Sequence, residues 1–121
     1  MSRGTKVPIQ VLSITAAAVL AQAICVDAAG AIAATGTVPF GVTIDGNDAI
    51  GDAVAVGTDG AFLVTASAAI VANTELVVTG AAGKVKTAVP TSGDAIIAVA
   101  LEAAAADGDL ILAKLQYRGV A

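Results

Sequence analysis

Glu75-Leu-Val-Val-Thr-Gly-Ala-Ala-Gly-Lys-Val-Lys-Thr-Ala-Val89 contains two short runs of β-branched residues on either side of a pair of glycines. Val and Thr are favoured in strands because their branched side chains suit a pleated, half-buried surface. Gly80 and Gly83 are typical of a tight turn, where glycine adopts backbone angles that other residues avoid. The stretch therefore predicts a β-hairpin with strands at Glu75–Thr79 and Lys84–Val89.

Further short apolar windows along the chain are each bounded by a turn signal rich in Gly, Asp, Asn or Pro. The predicted strands are Val38–Ile44, Ala53–Val56, Ala61–Thr65, Ile96–Leu101 and Leu110–Tyr117. The turn signals are Asp45-Gly-Asn-Asp48, Gly57-Thr-Asp-Gly60, Pro90-Thr-Ser-Gly-Asp94 and Asp107-Gly-Asp109. This spacing predicts an all-β fold, a small β-sandwich or barrel. The alanine runs Ala16–Ala23 and Ala103–Ala106 fit either a single helical turn or an apolar loop.

The same unit occurs twice in the chain, which predicts two pseudo-repeated halves. Thr15-Ala-Ala-Ala-Val-Leu-Ala21 resembles Thr65-Ala-Ser-Ala-Ala-Ile-Val-Ala72, and Ala49-Ile-Gly-Asp52 resembles Ala106-Asp-Gly-Asp109. The offset grows from 50 to 57 between these pairs, which requires small loop insertions. We expect a single β domain at 11–121 with repeats at about 11–60 and 61–118. The alternative is chance similarity in a chain rich in Ala and Val.

Residues 1–10 are polar and charged, and Pro8 restricts Val7 to an extended conformation, so we expect an extended N-terminal arm. The same region also resembles a signal peptide, because Arg3 and Lys6 precede an apolar run at 7–26. Several polar residues interrupt this run, which weakens that interpretation. No other stretch reaches the ~20 uninterrupted apolar residues of a transmembrane helix, so no membrane association is expected.

Composition limits the function classes. The 121 residues are 57% hydrophobic and 13% charged, with a net charge of −4, no His, no Trp and a single Cys. The absence of His excludes a His-based catalytic triad and a His-ligated metal, and one Cys cannot form a thiolate zinc site. The negative charge argues against nucleic-acid binding. A small domain with so neutral and apolar a surface usually has a partner that covers it.

Four local groups resemble functional motifs, and none supports a catalytic, cofactor-binding or metal-binding residue. Asp45, Asp48 and Asp52 lack the alternating oxygens and final Glu of a calcium loop, and a solvated hairpin turn explains them better. Gly80–Lys84 is too short for a phosphate loop. Cys25 lies in an apolar stretch, which indicates a buried structural thiol. Glu102 lies near other carboxylates but near nothing that would form a pocket. We therefore expect no enzyme activity and no cofactor.

The C-terminal stretch Thr91-Ser-Gly-Asp-Ala-Ile-Ile-Ala-Val-Ala-Leu-Glu-Ala-Ala-Ala-Ala-Asp-Gly-Asp-Leu-Ile-Leu112 resembles the small capsid decoration, or cement, proteins of tailed phages. Those sequences typically contain G(D), then I-x-G-[IV]-A, then E-A-A, then a G-[DE] turn and a hydrophobic strand. The chain departs from this pattern at Ala98, where the family usually has Gly.

The resemblance implies an all-β virion protein, usually a homotrimer on the capsid exterior, that binds the major capsid protein and stabilises the shell. It implies no enzyme activity. The family often binds through an N-terminal arm, so the expected partner-binding residues are Arg3, Lys6, Val7, Pro8 and Ile9. The alternative function is an exported cell-surface or adhesin-like β module that uses residues 1–25 as a leader.

Overall fold

The computed structural model describes residues 10–80 and 82–121. The described residues form eight strands and no helix, which confirms the predicted all-β class. The strands are β1 (Gln10–Thr15), β2 (Cys25–Val26), β3 (Gly41–Thr43), β4 (Ala53–Thr65), β5 (Glu75–Thr79), β6 (Lys84–Thr87), β7 (Ala98–Ala100) and β8 (Leu110–Leu115). The hairpin predicted around Gly80 and Gly83 is β5 and β6, with Leu76 opposite Thr87 and Thr79 opposite Lys84.

The strands form one nearly closed, barrel-like sheet in the order β2-β3-β4-β8-β7-β5-β6, with β1 paired to β4. The pairs between these strands are all antiparallel. β4 is 13 residues long and joins the two ends of the fold. Its first half pairs with β1 and β3, and its second half pairs with β8.

The turn predicted at Gly57–Gly60 is wrong, because these residues lie inside β4. Both glycines have a structural reason within the strand. A Cβ on Gly57 would lie 2.6 Å from ring atoms of Phe62, so only glycine leaves room for that ring. Gly60 has a φ of 110°, which other residues rarely adopt. The glycines therefore mark the place where β4 changes its pairing partner from β3 to β8 rather than a chain reversal.

The alanine runs form loops rather than helices, and they supply small side chains to the interior. Ala16 and Leu20 are buried in a small cluster with Val26, Val54 and Val56. A larger cluster surrounds the β5–β7 side of the fold and contains the side chains of Cys25, Val42, Val64, Leu76, Val78, Val85 and Ile111. A core built from Ala and Val buries little area per residue, which agrees with the composition.

The two halves of the chain make the same backbone hydrogen bonds at corresponding positions. Gly51 N donates to Ala16 O and Gly108 N donates to Ala66 O, both at 2.8 Å. Three further bonds have an equivalent in the other half. Ala16 N donates to Asp52 O as Ala66 N does to Asp109 O, and Ala23 N donates to Thr43 O as Asn73 N does to Ala100 O. Thr43 N donates to Ile24 O as Ala100 N does to Thr74 O. The offsets are the 50 and 57 residues found in the sequence. These contacts support a duplicated unit, while the limits at 11–60 and 61–118 stay a prediction.

Candidate functional site

The beginning of β1 lies beside an apolar groove. Gln10 is opposite Asp59 of β4, and the Thr58 hydroxyl donates a hydrogen bond to Gln10 Oε1 at 2.9 Å. These contacts hold the first residue of β1 against β4. A groove of about 170 Å³ lies at the same place, with a wall that includes Val38, Phe40, Thr58, Asp59, Leu115 and Tyr117. We call it the arm-exit groove.

The arm-exit groove concentrates the aromatic residues of a chain that has three of them. Phe40 and Tyr117 line it, and Tyr117 and Val38 are exposed to solvent. An exposed aromatic ring beside an exposed aliphatic side chain provides a large contact area with little polar surface. The groove is therefore suited to a partner that offers apolar side chains.

The sequence-predicted binding residues Arg3, Lys6, Val7, Pro8 and Ile9 lie outside the described residues. Gln10, the last residue of the predicted arm, is the first residue of β1. The sequence did not point to the arm-exit groove, because its wall comes from residues near 40, 58 and 116 that only the fold brings together. The one available signal in the sequence was the position of its few aromatic residues, because aromatic side chains are common at binding surfaces.

The aspartate-rich loop binds the protein's own backbone. Asp52 Oδ2 accepts hydrogen bonds from Asp48 N at 3.3 Å and from Ala49 N at 3.0 Å. Asn47 Oδ1 accepts from Leu20 N, and Asn47 Nδ2 donates to Ala18 O at 3.0 Å. Among the described residues no group of three His, Cys, Asp or Glu side chains could hold a metal ion. The loop is a structural turn that fastens the first alanine loop to the sheet.

Cys25, Lys84 and Glu102 also have structural roles. Cys25 is fully buried, and burial raises the pKa of its thiol from 9.0 to about 12, so the thiolate is disfavoured at neutral pH. Lys84 Nζ, next to the β5–β6 turn, forms a surface ion pair with Asp107 at 2.8 Å. Glu102 Oε1 accepts a hydrogen bond from Leu112 N at 2.7 Å.

The described residues form a β fold with an apolar groove beside Gln10, the first residue of β1. Residues 6–115 of the chain match the phage cement protein family, and the chain belongs to that family. It is a structural protein associated with the capsid of a phage virion. No curated protein matches the chain.

The fold is similar to the crystal structure of the N base of the head fiber protein gp8.5 of bacteriophage phi29. The two share 22% sequence identity, with a TM-score of 0.68 over 89% of this chain and 94% of that one. The similarity extends across nearly the whole of both chains and shows a common fold. Within the part of the chain that the structure describes, no helix is long and apolar enough to cross a membrane.

Proposed function

We propose that this protein is a decoration protein that binds the outside of the major capsid protein shell, as a homotrimer, and stabilises it. The observation that supports the proposal is the arm-exit groove, an apolar concave surface beside Gln10, the first residue of β1. The arm, with Arg3, Lys6, Val7, Pro8 and Ile9, reaches over the shell, while the groove receives an apolar segment of a capsid subunit.

The energetics of the domain suit this role. Its core is built mostly from Val, Ala, Ile and Leu, so the isolated domain gains less from burial than one with large aromatic anchors. A partner that binds the folded chain alone stabilises it by mass action. A trimer bound at three places on the shell holds neighbouring capsid subunits together, because each later contact forms at high effective concentration. Many modest contacts therefore stabilise the shell.

The similarity to a head fiber base supports a position on the head surface. That protein is named for a fiber on the head of its phage, and its N base has the fold found here. We infer that the shared fold serves as a mount on the capsid exterior.

Co-sedimentation with phage shells that lack this protein tests the proposal. The full chain should pellet with the shells at a fixed ratio to the major capsid protein and raise the temperature at which they break. Deletion of residues 1–9, which leaves β1 intact, and the Tyr117→Ala variant should each weaken binding by about tenfold or more. Val89→Asp is the matched control, because Val89 is exposed but does not line the groove. Failure of the full chain to bind shells would refute the proposal.

The exported-module alternative has a separate test, the intact mass of the chain from its native source. Removal of residues 1–25 would delete β1 and the buried Leu20 and Ile24. A particle-borne chain that retains these residues supports the capsid role. A chain found at the cell surface that begins after residue 25 would support export instead.

A further inference from the structure

The outer edge of β1 pairs with no strand among the described residues, and at its end Gly30 lies beside Thr15 O. Ala16 N donates to Asp52 O, and the ladder continues with Ile14 opposite Val54. Alternate residues of an antiparallel strand point their backbone groups to opposite sides, so those of Ser13 and Thr15 point away from β4. Among residues 10–80 and 82–121, β1 pairs with β4 alone. An open edge of this length is normally covered or protected, because its free N–H and C=O groups attract another strand or loop.

The equivalent edge in the second half is covered by the first half. The strand that corresponds to β1 is the second part of β4, and its Thr65 corresponds to Thr15. Thr65 donates from its backbone N at 2.9 Å and from its hydroxyl at 3.0 Å to the carbonyl oxygen of Ala23. Ile44 and Thr43 lie beside Ala61 and Leu63 across a shallow apolar groove. Residues 21–24 and 43–44 thus form a corner, the Ala23 corner, that packs on this edge.

The second half carries a matching corner in which Val71, Asn73 and Leu101 are exposed. Residues 71–74 and 100–101 correspond to the Ala23 corner, and we call them the Asn73 corner. Asn73 has a φ of 68° and Ala23 a φ of 58°. Asn73 N donates to Ala100 O, as Ala23 N does to Thr43 O. At the Asn73 corner the side chains of Val71 and Leu101 are 71% and 44% exposed.

The two unused surfaces are alike in chemistry. β1 presents Val11 and Leu12, which are 47% and 40% exposed. Neither β1 nor the Asn73 corner contains a charged residue. Contact between them would bury apolar area without desolvating an ion.

We propose that the Asn73 corner of one subunit packs on the open edge of β1 in the next, and that Thr15 N there donates to Asn73 O. Within one chain, the corner of the first half packs on the strand edge of the second half. In the proposed contact, the corner of the second half packs in the same way on the strand edge of the first half of the next chain. It is heterologous, so it closes into a ring when the rotation between subunits permits. The proposal rests on the homotrimer of the proposed function and names the surfaces that build it.

Cysteine cross-linking tests the contact on the isolated full chain. In the Thr15→Cys/Asn73→Cys double variant, mild oxidation should form disulfides between different chains. The largest cross-linked species on a non-reducing gel should be the trimer. The native Cys25 does not interfere because it is fully buried. Ala23→Cys/Thr65→Cys is the matched control, since it places the same pair across the internal contact and should give only an intramolecular disulfide. A double variant that stays uncross-linked while this control oxidises would overturn the proposal.

Sedimentation gives a second, independent measurement. The wild-type chain should have the mass of three chains of 11.6 kDa, and Leu101→Lys or Val71→Asp should shift it to the monomer. Val89→Asp, on a different surface, should leave the mass unchanged. A trimer that survives both corner variants, or a wild-type chain that is monomeric at high micromolar concentration, would overturn the proposal. Either result would leave the binding of the chain to shells, measured separately, as the test of the capsid role.

Discussion

Asp52 and Asp109 occupy the same position in the two halves of the fold and perform the same task. Asp52 Oδ2 accepts from the backbone N–H groups of Asp48 and Ala49, and Asp109 Oδ2 accepts from those of Ala105 and Ala106. Each aspartate closes the turn that leads into a long strand, β4 or β8. The glycine before each has a φ near 95°, so the Gly-Asp pair sets the shape of both turns.

Replacement of either aspartate should destabilise the protein by a similar amount. Asp52→Ala and Asp109→Ala each remove two hydrogen bonds to backbone N–H groups, and the free energy of unfolding should fall by about 1–2 kcal/mol. Urea denaturation at one fixed protein concentration measures this. Asp107→Ala is the control, because it removes a surface ion pair that is worth less than about 1 kcal/mol. Equal losses for Asp107 and Asp109 would contradict the role assigned to the turn.

Gly30→Ala should cost far more stability than Gly51→Ala. Both positions have a positive φ, 85° and 95°, so both substitutions incur backbone strain of about 1–2 kcal/mol. A Cβ on Gly30 would lie 2.0 Å from Thr15 O, whereas a Cβ on Gly51 meets nothing within 4 Å. Thermal unfolding of the two variants separates the clash from the strain. Indistinguishable melting temperatures would show that the loop at Gly30 can move away from β1.

Thr43→Val should destabilise the fold although it preserves side-chain volume. The Thr43 hydroxyl is buried, accepts from Ile24 N at 3.1 Å and donates to Ala21 O at 2.7 Å. Valine leaves these groups without that partner, at a cost of about 1–3 kcal/mol. Thr65→Val is the matched control, because Ala23 O still accepts from the backbone N of residue 65. Measured by urea denaturation, the free energy of unfolding should fall less in Thr65→Val than in Thr43→Val. A larger fall in Thr65→Val would refute the role assigned to the Thr43 hydroxyl.

Cys25 should make the protein less stable at alkaline pH. Desolvation raises the pKa of its thiol from 9.0 to about 12 in the folded chain. Above about pH 9 the unfolded chain releases this proton while the folded chain retains it, so stability falls as pH rises towards 12. The full effect is about 4 kcal/mol. The difference between wild type and Cys25→Ala across pH 8–11 isolates it, since other groups titrate in both.

The same burial should protect the thiol from chemical modification at pH 8. A thiol reagent should label Cys25 at the rate of unfolding, and quickly only in denaturant. Rapid labelling of the native chain would show that the site opens readily and would also weaken the pH prediction.

The termini of the domain come together at a place that no local pattern indicates. Gln10 begins β1 opposite Asp59, and Leu115 ends β8 opposite the adjacent Gly60. The groove at the root of the arm follows from this pairing. The sequence predicted the arm as the binding element, but it assigned no role to Phe40 or Tyr117. Their proximity depends on contacts between residues far apart in the chain.

Interactions between residues close together in the chain account for the features that the sequence predicts by itself. The hairpin at β5 and β6, the buried thiol of Cys25 and the recurring Gly-Asp turns all follow from residue type and spacing within about ten positions, because side-chain branching and glycine act on the nearby backbone. The expectation of an apolar, weakly charged surface that a partner covers follows from composition in the same way.

Tertiary structure decided the rest. Gly57 and Gly60 look like a turn in the sequence, yet β4 runs through them because β3 and β8 pair on either side of that point. β1 was not predicted as a strand, since it forms by pairing with residues some forty positions away. Strand pairing is a long-range contact whose energy is absent from any local window. It alone determines which edge is covered, which stays open, and where the groove lies.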